Sequence, residues 1–401
     1  MKRRDAIKYF MSGLILPLVP ARLQAAAAQS GRRLVLIELS GANDGLNTVI
    51  PYRDDRYYRL RPNLAIRDQD RFALDDNFAL HSALKDLGSV WENGELAIVH
   101  GLGYPGANRS HFKSIALWET GGDGTSAGRS GWLTEDIENM GVTQDWDAHG
   151  ISLDGGMGVF TSPNGVWLSM TSAAQFQRLS TSSFSVASTT TDNPALAALL
   201  GRAEALDTSM KRISSKMNRS RSLRFDIRGG DLGRQMATAA SLIAAGIDTP
   251  VLKVKIDGFD THENQFGRHR NLLRDLGRSI GGFASQMRRI NEWDNTLVMT
   301  YSEFGRRAIE NFTDGTDHGT AAPHFIAGGR VNGGFYSDHP NLGKLIEGDL
   351  QFTMDYRSVY EMVLSAWFGI DQNRFTGFRN TDLSNLLEDV WTGQFIFLRG
   401  C

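Results

Sequence analysis

Four short apolar runs alternate along this chain with stretches of helical spacing, and that alternation constrains the fold more than any other feature. The runs are LVLIELS from Leu34, LAIV from Leu96, PVLKVKI from Pro250 and TLVMTYS from Thr296, with a shorter HFIAG from His324. Nearly continuous apolar runs of this length read as strands buried on both faces. Between them, Leu80, Leu84, Leu87, Val90 and Trp91, and later Leu272, Leu273, Leu276, Ile280, Phe283 and Met287, recur at helical intervals. Strands alternating with helices predict an α/β fold, a mostly parallel sheet covered on both faces. Lys253 and Lys255 fall on one face of their run and point to a strand near an edge.

In a parallel sheet the strand C-termini form one rim, and ligands bind there. Chemically capable residues follow the predicted strands. Asn43 and Asp44 come after the first. Arg109, Ser110 and His111 come after the second. Asp257, Asp260 and His262 follow PVLKVKI. Glu303 and Arg306 follow TLVMTYS, and the loop GTDHGTAAPHF adds Asp317, His318 and His324. Carboxylates and imidazoles without cysteine suit one or two divalent ions such as zinc, manganese or calcium. Two such ions can clamp the attacking and leaving oxygens of phosphoryl or sulfuryl transfer. Ser110 at a helix start is placed to attack, with Arg109 or Arg306 and the helix amides favouring an anion. Taken singly, each piece has a plainer reading. Asn43-Asp44-Gly45 is a turn signal, Ser110 an N-cap, Glu303 and Arg306 an ion pair, and His111 an orienting or packing residue.

The ends of the chain add constraints. MKRRDAIKYF followed by FMSGLILPLVPA and LQAAAAQS has the basic, apolar and small-residue regions of a cleaved leader ending near Ala28. Its apolar part is too short to span a bilayer. Arg3–Arg4 with Ile7 and Lys8 points to the twin-arginine export machinery as a partner, to a periplasmic or secreted location and to no stable membrane anchor after cleavage. Residues 1–28 hold five basic residues and one acid, so of 43 basic and 45 acidic residues the body keeps 38 and 44, a net of −6. A mildly acidic body argues against nucleic acid as a partner. The one cysteine, Cys401, excludes internal disulfides and cysteine-rich zinc sites. Residues 29–401 read as a single domain. From about 169 to 224 the composition turns polar, then helical and charged, as in an insertion or cap.

LSGANDGLNTVIPY, NRSHFKSIALWETG, GFDTHENQ, SEFGRR and GTDHGTAAPHF together resemble, in order, the bacterial domain-of-unknown-function family numbered 1501. That family commonly bears a twin-arginine leader and is grouped with the alkaline phosphatase and sulfatase superfamily. The resemblance spans roughly residues 33 to 370. It implies an alkaline phosphatase-like three-layer sandwich. Carried over residue by residue, Asp44 is the carboxylate after the first strand and Ser110 the nucleophile. Asp260 (or Asp257) with His262 forms an Asp–His pair, and His318 or His324 is the downstream imidazole. A second Asp–His pair is expected after the next strand, but the chain has Glu303-Phe304, so Asp317 and His318 substitute or a single ion binds. The activity implied is metal-dependent hydrolysis of a phosphate or sulfate ester, on a small molecule or glycan. Two alternatives remain: a secreted binding or assembly protein that keeps the fold, and a transferase acting on envelope glycans or lipid headgroups.

Overall fold

A central sheet with helices packed on both of its faces carries everything that follows. The computed structural model describes residues 31–123, 127–141, 144–171, 191–220 and 224–388, all within the unit Gly31–Cys401. The leader, residues 172–190 of the polar segment and Cys401 lie outside the described residues.

The strands are β1 (Arg33–Ser40), β2 (Val49–Ile50), β3 (Arg71–Ala73), β4 (Ala79–His81), β5 (Leu96–Gly103), β6 (Gly150–Ser152), β7 (Trp167–Ser169), β8 (Val251–Asp257), β9 (Thr296–Tyr301), β10 (Arg306–Glu310), β11 (Thr316–His318), β12 (Ala322–Ala327), β13 (Gly334–Tyr336) and β14 (Met354–Asp355). The main sheet runs β13-β5-β12-β9-β1-β8-β6-β7, with β14 also on β5. β1 pairs in parallel with β8 and β9, and β6 in parallel with β7 and β8. β12 is antiparallel to both β5 and β9. It enters the sheet from the rim at which its neighbours leave. β10 and β11 form a separate hairpin, and β2, β4 and β3 a small sheet.

Side chains of β1 alternate between two cores, as period-two geometry requires. Val35, Ile37 and Leu39 face the helices Pro194–Arg219, Gly230–Ala244 and Gln265–Arg289. Leu34 and Leu36 face Leu117, Trp118 and the segment Tyr356–Trp367. The predicted stripe of the helix Gln265–Arg289 is buried at Leu273, Leu276, Ile280, Phe283 and Met287.

Two local expectations fail, for physical reasons. Leu80 belongs to β4, and the helical pattern there starts as a 3₁₀ turn at Ser82 before the short helix Gly88–Glu92. Strand β8 is not near an edge, because β1 and β6 flank it. Lys253 is buried in the interior, bonded to Glu38 (2.8 Å) and Asp154. A lysine tolerates such a place when carboxylates compensate its lost hydration.

Candidate metal centre

The turns after β1, β8 and β9 meet at the rim and lock together. Gly41 has φ +106°, and a Cβ there would overlap the amide of Asp260, so the β1 turn lies flush on the β8 turn only as glycine. The Gly41 amide donates to Glu303 Oε1 (2.9 Å) beyond β9. Arg306, opposite His318 in the hairpin register, is 1% exposed. Its guanidinium donates to the carbonyls of Ala42 (2.9 Å), Gly41, Phe259 (3.1 Å) and Thr316 (2.9 Å), and to Asp260 Oδ1 (2.5 Å).

On this frame three imidazoles converge. His318 Nε2 lies 3.0 Å from His111 Nε2 and 2.9 Å from His262 Nε2. Asp260 Oδ1 stands 3.1, 3.2 and 3.5 Å from the Nε2 atoms of His262, His318 and His111. Each ring is turned by an acceptor on its far side. His111 Nδ1 donates to Glu303 (2.7 Å), His318 Nδ1 to the Arg109 carbonyl (2.8 Å) and His262 Nδ1 to Asp317 (3.3 Å). These partners only accept, so every Nδ1 carries a proton and each ring aims its Nε2 at one point. Lone pairs 3 Å apart repel unless a cation sits among them. Ligands of a tetrahedral ion at 2.0–2.1 Å would lie about 3.3 Å from one another, and the observed separations bracket that spacing. His111, Asp260 and His318 form the group of donors, among the described residues, close enough to hold an ion, with His262 beside them.

The electrostatics agree with a cation-ready site. Burial opposes ionisation of Asp260, but the hydrogen bond and charge of Arg306 outweigh it and hold the carboxyl at about 2. The Glu303 hydrogen bond raises the His111 imidazole. Burial lowers His318. The Phe304 ring packs against His111 and His318, with centroids 4.9 and 4.8 Å away. It packs beside the two imidazoles where an imidazole was expected. The centre opens to solvent, for His262 and Asp260 keep nearly half their side-chain exposure.

The sequence-predicted residues separate into groups. Asp260, His262 and His318 are brought together. Glu303 and Asp317, predicted as ligands, stand behind the imidazoles as their acceptors. Asp257 is turned away to Lys255 (3.1 Å), while Asp260 stands in the cluster. Asp44 is fully buried; its Oδ2 pairs with Arg61 (2.6 Å) and accepts from Gln265, while its Oδ1 has no hydrogen-bond partner among the described residues. His324 lies three residues into β12 opposite Val99, against Trp118 and Thr300. Burial holds it at about 3, neutral and inside the sheet. Arg109 pairs through Nη2 with the buried Asp349 and keeps about a third of its side chain exposed, and Arg306 donates to the carbonyls above. Ser110 is the N-cap residue of the helix His111–Thr120, exposed, and its hydroxyl makes no capping bond. His111, not among the residues predicted as ligands, stands in the cluster. Its one sequence signal is its place as the first helical residue beside Ser110.

No curated protein matches the chain. A family model described as a protein of unknown function, DUF1501, matches residues 87–378. Among solved structures, Ps i-CgsB in complex with k-i-k-neocarrahexaose is similar over 88% of this chain and 75% of its own, at 9% identity and a TM-score of 0.41. The lipoteichoic acid synthase LtaP from Listeria monocytogenes is similar over 81% and 75%, at 10% identity and 0.35. The C-terminal periplasmic domain of EcEptC from Escherichia coli, in complex with Zn, is similar over 75% and 73%, at 8% identity and 0.37.

Proposed function

The chain belongs to the family of proteins of unknown function DUF1501, and from that premise we propose that it is an exported, metal-dependent hydrolase of phosphate or sulfate esters with an alkaline phosphatase-like architecture. One observation carries the reading: three Nε2 atoms and one carboxylate oxygen face a common point, each imidazole fixed from behind. His111, Asp260, His262 and His318 would hold one divalent ion. Bound there, it would supply positive charge to polarise an ester oxygen. Glu303, Asp317 and the Arg109 carbonyl keep the three rings oriented and basic. Phe304 excludes water from one side of the rings. Ser110, its hydroxyl unspent on capping, is the nucleophile, and the amides at its helix start favour the anionic group. Residues 1–28 are the leader of a twin-arginine substrate, and residues 29–401 fold as one domain with its cap near 169–224.

The test is metal content together with hydrolysis of p-nitrophenyl phosphate and p-nitrophenyl sulfate by the mature protein. Wild type should hold one ion per chain, His262→Ala should lose it, and Ser110→Ala should keep it without turnover. A metal-free wild type, or equal rates in all three proteins, overturns the reading. The commitment of Arg306 to backbone carbonyls favours one rival, a secreted binding protein that keeps the ion and catalyses nothing. It predicts a full complement of metal and no hydrolysis of either ester.

A further inference from the structure

The segments that build the centre also carry large apolar side chains that contribute nothing to the core. Phe112, directly after His111, is 88% exposed, and Phe312 at the tip of the β10–β11 hairpin is 110% exposed. Phe266, Ile309, Ile346 and Phe352 are exposed as well. Hydrogen bonds tie these segments to the site and to each other. Asn311 Nδ2 and Thr313 Oγ1, on either side of Phe312, both donate to the carbonyl of His262 (2.9 and 2.7 Å). The Gln265 backbone amide, beside Phe266, donates to the carbonyl of Asp314 in the same hairpin (2.8 Å). Ile309 Cδ1 lies 3.9 Å from where a Cβ on Gly348 would sit, next to Ile346. The Asp349–Arg109 pair then returns the circuit to the helix that begins with His111 and Phe112.

Single exposed apolar residues need no explanation, but a group of them around a reaction centre marks a binding surface. The charges interleaved with this rim are of both signs: Lys113, Arg268 and Arg307 against Glu263, Asp314 and Asp317. A polyanionic glycan needs clustered cations, which this rim does not offer. We propose that the centre takes an amphiphilic phosphate or sulfate ester, its charged group at the His111–Asp260–His262–His318 cluster and its alkyl or acyl chain against Phe112 and Phe312. This rests on the functional reading above and names its substrate class.

Calorimetric titration of the metal-loaded mature protein with ethyl phosphate and with monomeric decyl phosphate tests it. Decyl phosphate should bind about tenfold more tightly, the gain expected from shielding a few methylenes. The double variant Phe112→Ser/Phe312→Ser should bring the two affinities within about twofold, with metal content and ethyl phosphate binding unchanged. Equal affinities in wild type, a preference kept by the double variant, or tighter binding of a sulfated oligosaccharide overturns this inference alone. Binding of neither phosphate ester overturns the hydrolase reading together with it.

Discussion

Glu303 governs the centre without touching its focus. One oxygen takes the Nδ1 proton of His111 and the Gly41 amide, and the other accepts from Ser302 (2.9 Å). Glu303→Gln should keep the fold and lower metal affinity about 10- to 100-fold, the usual cost of losing a carboxylate behind a ligating histidine; competition with a chromogenic chelator measures it. Asp44 behaves differently. Arg61→Met would strand a buried carboxylate and cost roughly 3–5 kcal/mol, read as a lower midpoint in urea with metal content per folded chain unchanged. A loss of metal at unchanged stability would instead return Asp44 to the ligand set. These two carboxylates show where sequence reading stops. Both follow strands, both have polar neighbours, and only tertiary structure reveals that Asp44 meets an arginine seventeen positions on while Glu303 meets a histidine from another strand's turn. His111 was hidden for the converse reason: one imidazole at a helix start gives no sign of its direction.

At the level of elements the lesson is about approach distance. The turn after β1 and the turn after β8 touch through Gly41, and the hairpin turn touches the His262 carbonyl through Gly315. Gly41→Ala meets both a positive φ and an overlap with the Asp260 amide. It should cost about 2 kcal/mol or more and reduce metal binding with it, measured by thermal unfolding and metal content on the same sample. The strands themselves were legible: β9 falls within its apolar run, β1 and β8 overrun theirs by one residue, and β5 starts with LAIV and runs on to Gly103. Their order was not. Lys253 and Lys255 looked like solvent-facing residues because a local pattern cannot show Glu38 and Asp154 arriving from other strands. The antiparallel direction of β12 was equally hidden, and it put His324 inside the sheet when its neighbours in sequence pointed to the rim.

For the molecule as a whole, buried imidazoles set the response to acid. Burial lowers His81, His269 and His339 to about 4, and His100 and His324 to about 3. Below pH 6.5 the unfolded chain takes up protons that these folded sites refuse, so stability falls as pH drops from 6.5 toward 4. Burial also raises Glu119 to about 7 and Asp136 to about 6. Those acids are favoured in their neutral form, lose stability as pH rises through these values, and offset two of the five histidines between pH 4.5 and 6. Three uncompensated groups at ~1.4 kcal/mol per pH unit each leave a net fall of about 4 kcal/mol per unit. Unfolding should therefore set in near pH 4–5, followed by far-UV circular dichroism; a signal flat to pH 3.5 would contradict it. Chelation should act separately, lowering stability by about 2.7 kcal/mol if the ion is present at a hundred times its dissociation constant.

The guanidinium of Arg306 adds a consequence in time. It already joins the turns after β1 and β8 to the hairpin, so the segments that carry Asp260, His262 and His318 are tied together by bonds that no ion has to make. Loading and unloading therefore need no refolding step. Uptake by stripped protein should be a single second-order phase, its rate proportional to ion concentration and without a plateau, and stopped-flow with a fluorescent indicator would resolve it. A centre built in this way can exchange its ion as the surroundings change while the rest of the molecule stays as it was.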